Sequence, residues 1–183
     1  CECWDFSLVD PDNRRPVDFG HRRTLLAALQ TLAAQTSQQR SAGVHALCDT
    51  LEDGRAKLLV VSTALALRER WPDVFLHGSY VPLAVKGEHA AHLCAYARIA
   101  GGRTVITVAP RFFAQLLGET DSLPLGAQVW GNTTVDVPFH SRDSQYTCAF
   151  TGKVLEPHLS GWRLPVAQVL AEFPVGLIVN EEV

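Results

Sequence analysis

Methionine is absent from all 183 residues, position 1 included. That absence sets the first expectation, a fragment cut from a longer polypeptide. No apolar run approaches the 18 residues a membrane-spanning helix needs, so no bilayer crossing is expected. The start, CECWDFSLVD, lacks the basic and apolar regions of a signal peptide. Basic charge is not in excess: the net charge is −3 with histidine neutral, which argues against a nucleic-acid or anionic-membrane surface. Five cysteines are present, but only Cys1 and Cys3 are close, with no second pair at metal-ligand spacing. Cys48, Cys94 and Cys148 sit among apolar neighbours and read as reduced core residues, which points to a cytoplasmic protein. No phosphate loop, no G-x-G-x-x-G and no G-x-S-x-G elbow occurs, and no cofactor or metal is implied.

What is present is a core. Hydrophobic residues make up 47% of the chain, enough for one ordinary domain or a small domain with a helical piece. Residues 1–18 read as loop, because two prolines and an Asp/Asn cluster break helix there. Asp18 is placed to cap the first helix. From Phe19, Leu25, Leu26, Leu29, Leu32 and Ala33 form one helical stripe. A second helix is expected over Ser41–Leu51, with Val44, Leu47, Cys48 and Leu51 inward, broken at Asp53-Gly54. A third runs from Arg55 to Trp71, with Leu58, Leu59, Ser62, Leu65 and Ala66 at helical spacing and Pro72 closing it.

After Pro72 the period changes to two, and Gly101-Gly102 reads as a hairpin turn. Pro110 is expected to start a short helix. Strands are expected at 128–137, 146–150 and 152–156, a short helix at 164–173, and a closing buried strand in PVGLIVNE. Residues 138–146 are polar and read as a surface loop. The fold class is therefore α+β: N-terminal helices, then a mostly antiparallel sheet or sandwich with one wet face. The expected organisation is 1–18 loop, 19–75 helical segment and 76–183 β-rich domain.

Chemistry is sparse. Ser62, Ser79, Ser141 and Ser160 and seven histidines supply parts, but none in a nucleophile motif. His89 and His92 lie three apart. On a helix they could share a metal; next to a strand they read as loop histidines. That leaves DPDNRRPVDF, residues 10–19. Asp10, Asp12, Arg14, Arg15 and Asp18 form either a salt-bridged loop or a site for hydroxyl-rich ligands, since carboxylates and guanidinium forks make bidentate bonds to sugar hydroxyls. Trp4 could stack on a sugar face.

The stretch WDFSLVDPDNRRPVDF at 4–19 resembles the segment after the last barrel strand of the maltooligosyl trehalose synthases, in the α-amylase superfamily. The resemblance extends in order through 53–98, 123–138 and 164–179. It implies the C-terminal portion of an enzyme that converts the reducing-end α-1,4 bond of a maltooligosaccharide to an α,α-1,1 bond, in trehalose biosynthesis. It implies a retaining route through two carboxylates on a (β/α)8 barrel that would precede Cys1. No catalytic residue is carried over. By position, Asp10, Asp12, Arg14 and Arg15 would approach the acceptor subsites. Trp4 and Asp18 are further candidates. Partners would be the maltooligosaccharide and the chain's own upstream barrel. The fragment alone would be inactive, with an exposed apolar patch on helix 19–34 or helix 55–71. The alternative is a stand-alone carbohydrate-binding or protein-interaction β-domain.

Overall fold

The computed structural model describes residues 18–120, 122–138, 145–156 and 162–181. It opens on helices: α1 (Phe19–Ala33), α2 (Ser37–Ala46), α3 (Arg55–Arg70) and α4 (Pro72–Leu76), with a 3-10 stretch at Leu47–Asp53. Asp18 caps α1, its Oδ1 accepting from the His21 N–H at 2.8 Å. The second helix starts earlier than its apolar stripe suggests, because Thr36 supplies the cap, accepting from the Gln39 N–H. Its far half tightens to 3-10. Val44 and Leu47 are buried, while Cys48 and Leu51 are partly buried against the same cluster. Gly54 at φ 80° then resets the chain direction. Asp53 accepts from the Arg55 N–H at 2.8 Å and from Arg55 Nε at 2.7 Å.

On α3 the expected stripe is only half right. Ala56, Leu58, Leu59 and Leu67 are buried, but Ala66 is exposed and Leu65 is 54% exposed. At about 100° per residue, Leu65 shares a side with Leu58. Neighbours cover that side at the start of the helix and not at its end. Pro72 does stop α3, and it also starts α4 from the first-turn position.

The strands are β1 (Ser79–Pro82), β2 (Val85–Lys86), β3 (Leu93–Ala100), β4 (Arg103–Pro110), β5 (Thr134–Asp136), β6 (Tyr146–Cys148), β7 (Val154–Leu155), β8 (Arg163–Pro165) and β9 (Gly176–Glu181). Short helices α5 (Phe113–Leu117), α6 (Gly126–Trp130) and α7 (Val166–Val169) lie between them. Every pairing among the described strands is antiparallel. One sheet has the order β1-β3-β4-β9-β6-β7, the other β2-β5-β8. Gly101 and Gly102, at φ 55° and 72°, make the β3–β4 turn as their sequence implies.

The large sheet is covered on both faces at its centre, not on one. Ile106, Val108 and Ile178 face a core shared with Val135, Leu164 and Trp130 of the smaller sheet region. Val105, Leu177 and Val179, one residue out of phase, face the helices with Leu29, Leu58, Leu59 and Phe150. The described residues thus form three layers: helices, a large sheet and a small one.

Three boundary expectations fail for local reasons. Pro110 ends β4 instead of starting a helix; its partner is Leu93, and β9 reaches only to Val108, so no strand on that side needs its missing N–H. The stretch 128–137 splits into the end of α6, a Gly131 turn at φ 46°, and β5. The expected 164–173 helix shrinks to α7, because Arg163–Pro165 pairs with β5. Cys94 is exposed rather than in the core, whereas Cys148 is buried and Cys48 intermediate.

Candidate functional site

Asp10, Asp12, Arg14 and Arg15, with Trp4, lie outside the described residues, as do positions 139–144 of the polar loop and Ser160. Asp18 is described, and its Oδ1 accepts from the amide of His21 at the start of α1. Its placement is explained by the helix it starts.

The other candidate parts do not assemble. Ser62 donates from Oγ to the Leu58 carbonyl at 2.7 Å, a back-bond within its own helix. Ser79 opens edge strand β1. His89 and His92 flank a 3-10 turn, with ring centroids 6.2 Å apart, and the His89 N–H donates to Thr133 Oγ1. Among the described residues no group of three or more His, Cys, Asp or Glu could hold a metal. Loop histidines remain the reading.

Charged groups form pairs that tie elements together. Asp136 on β5 accepts from Lys86 Nζ at 2.5 Å and Arg163 Nε at 3.0 Å, linking the three strands of the small sheet. Glu172 meets Lys153 Nζ at 2.5 Å and lies 3.5 Å from His45 Nδ1. Arg40 donates from Nε to the Phe150 carbonyl at 2.7 Å and from its terminal nitrogen to the Ala149 carbonyl, fastening α2 to the turn after β6. Burial lowers the Arg40 pKa from its ordinary value. Burial alone would raise the Asp53 carboxyl, but its bonds from Arg55 and Thr50 outweigh that and hold it below its usual value. Burial, with Asp49 and Glu172 nearby, pushes the Cys48 thiol up to about 11.

Aromatic platforms for sugar are few among the described residues. Trp71 and Trp130 are buried, Trp130 donating from Nε1 to the Pro124 carbonyl at 2.7 Å. Periodicity alone does not reveal a tyrosine pair that the fold creates. Tyr80 on β1 and Tyr96 on β3 stack at 5.0 Å and 31°, and Tyr80 is exposed. The signal is available only through register: Pro82 pairs with Tyr96 and Tyr80 with Arg98, which makes the two rings diagonal neighbours.

A groove of about 1000 Å³ opens among the described residues. One wall is the start of α3 with Leu51 and Glu52 before it; the other is α5, the stretch through Pro124, and Phe173–Val175. Its lining is mostly apolar: Ala56, Val60, Phe113, Leu117, Leu123 and Val175 among others. Sequence periodicity could not foresee it, since its walls come from three separated segments.

The chain matches no protein-family model. Over 180 residues it is 32% identical to a putative maltooligosyl trehalose synthase of Mycobacterium tuberculosis, in each of two strains. The match covers 98% of this chain and 18% of that protein. Its fold superposes with a TM-score of 0.68, at 34% identity, on the maltooligosyltrehalose synthase of Arthrobacter ramosus, and equally on a point mutant of it. There 97% of this chain covers 19% of the other. The chain thus resembles these synthases from end to end while spanning about a fifth of their length.

Proposed function

We propose that this chain is the C-terminal portion of a maltooligosyl trehalose synthase and supports a catalytic barrel that precedes it in the same polypeptide. The observation that carries the reading is the likeness of 97–98% of the chain to a fifth of such proteins, in sequence and in fold together. The whole enzyme would convert the reducing-end α-1,4 bond of a maltooligosaccharide to α,α-1,1 within one molecule, by a retaining route. A carboxylate attacks the anomeric carbon while a carboxylic acid protonates the leaving oxygen, then serves as base when the new hydroxyl attacks. Both groups belong to the barrel. No cofactor enters this chemistry. Residues 1–18 form the loop leaving the last barrel strand, 19–75 the helical segment and 76–183 the β-rich domain.

Within this reading Asp10, Asp12, Arg14 and Arg15 contact the acceptor end of the glucan, with Trp4 beside them. Bidentate bonds to paired hydroxyls suit these side chains. The free thiols of Cys48, Cys94 and Cys148 fit a reducing compartment such as the cytoplasm. The test is a product assay with maltopentaose. The 183-residue chain alone yields no non-reducing product. The complete polypeptide does, and Arg14→Ala or Asp12→Asn raises KM with a smaller change in binding of the barrel's own subsites. Turnover by the isolated chain at an enzyme's rate, or unchanged kinetics in both variants, would sink the reading.

A second reading, a stand-alone carbohydrate-binding module, has the exposed Tyr80–Tyr96 pair in its favour. Saturable millimolar binding of maltooligosaccharide to the isolated chain, followed by NMR shifts at these tyrosines, would favour it.

A further inference from the structure

We infer that the face of the large sheet around Tyr80 and Tyr96 binds a stretch of the α-1,4 glucan chain; this names a contact for the substrate and rests on the function proposed for the whole enzyme. Register brings the parts together. Tyr80 pairs with Arg98 and Tyr96 with Thr107, so β1, β3 and β4 turn Tyr80, Tyr96 and Thr107 to one side. Exposed Cys94, two residues before Tyr96, shares that side. Arg98 shares it too, but is held by α4: its Nε donates to the Val74 carbonyl at 3.3 Å and a terminal nitrogen to that of Phe75 at 2.6 Å. Tyrosine, threonine and cysteine leave the rest of the patch uncharged at neutral pH.

The two rings select the occupant. A pyranose has an apolar face of C–H bonds and a rim of hydroxyls; a phenol offers an apolar face and one hydroxyl to match. Tyr80 is 56% exposed, and its ring stacks on that of half-buried Tyr96. Each ring holds the other in place, so little ordering remains to be done at binding. Among the described residues neither phenol oxygen has a hydrogen-bond partner, and both can bond a sugar hydroxyl. Size argues against a protein partner. A stable interface takes about 800 Å² from each side. A whole aromatic side chain supplies roughly 150–250 Å², and these two are only partly open. The patch has the extent of one or two sugar rings.

The experiment places 3-fluorotyrosine at position 80 of the complete polypeptide and titrates it with maltoheptaitol. This reduced glucan keeps the α-1,4 chain but has no anomeric carbon at its end, so the proposed rearrangement cannot consume it. The fluorine signal is expected to shift saturably, with a Kd of millimolar order. The same label at exposed position 154, on the opposite edge of the sheet, should not move. In affinity electrophoresis through amylose, Tyr80→Ala raises Kd roughly tenfold or more, with its urea midpoint unchanged. Tyr80→Phe keeps the ring and stays within about threefold. A fluorine signal at position 80 unmoved by glucan well above millimolar overturns the inference, as does unchanged retention of Tyr80→Ala. A change of oligomeric state in Tyr80→Ala, read by gel filtration, also overturns it, by giving the face to a second copy. Neither readout uses turnover, so failure here is separable from failure of the maltopentaose assay. Turnover by the complete polypeptide in turn separates this contact from the stand-alone module.

Discussion

Replacing Phe150 by alanine tests the layer arrangement where it is most concentrated. The side chain is 1% exposed and its ring lies 5.4 Å from that of Phe173 at 54°. It belongs to the cluster between the helices and the large sheet, and Arg40 of α2 bonds its carbonyl. Truncation removes the buried ring and leaves a cavity, which for Phe→Ala costs about 3–5 kcal/mol. About 0.5–1.5 kcal/mol of that is the coupling to Phe173. At roughly 2–4 °C per kcal/mol for a domain of this size, Tm falls by about 6–20 °C. The assay is thermal and urea unfolding followed by near- and far-ultraviolet circular dichroism, whose coincidence checks that the transition is cooperative. Val154→Ala, at a 52% exposed position, should stay within about 0.5 kcal/mol. A double-mutant cycle with Phe173→Ala isolates the ring coupling. A loss below about 1.5 kcal/mol at unchanged m-value would mean that the helices do not pack on the sheet here.

Two further outcomes rest on single residues. Cys48, with its thiol pushed up to about 11, stays protonated at pH 8 and resists iodoacetamide, whereas exposed Cys94 is alkylated quickly. The folded chain penalises the Cys48 thiolate, so stability holds below the unfolded thiol pKa of about 8.5 and declines as pH rises towards 11; Cys48→Ala should flatten that decline. Gly78→Ala would place a Cβ 2.3 Å from the Val74 carbonyl oxygen and 2.9 Å from that of Ile99, both backbone atoms. It should destabilise the chain by more than about 1 kcal/mol in urea titration, although its φ is open to any residue.

The helices and the β3–β4 hairpin were legible because their signals are local. A cap at Asp18, leucines at helical spacing and Gly101-Gly102 each act within a few residues. Burial on both faces of the large sheet is also written in the chain, in the nearly unbroken apolar runs VITVA on β4 and GLIV on β9, although period-two alternation in other strands is the pattern of a sheet with one wet face. Leu65 could not be placed from periodicity, since the stripe says which side it shares and not how far the covering layer extends. The Tyr80–Tyr96 stack and the groove depend on register and on segments far apart in the sequence. For Asp10 to Arg15 the sequence remains the whole source, through side-chain type and likeness alone.

The position of β9 bears on how such a chain is made. Its residues leave the ribosome after those of every other described strand, yet they lie between β4 and β6. Until they arrive, β1, β3 and β4 can pair among themselves, and β6 with β7, but no described strand bonds the two groups. Large-sheet assembly therefore waits for the end of this region's translation, with Ile106 and Val108 lacking their neighbour throughout. A stalled or truncated product stopping before Gly176 is an open-edged intermediate of the kind that chaperones bind and that aggregates.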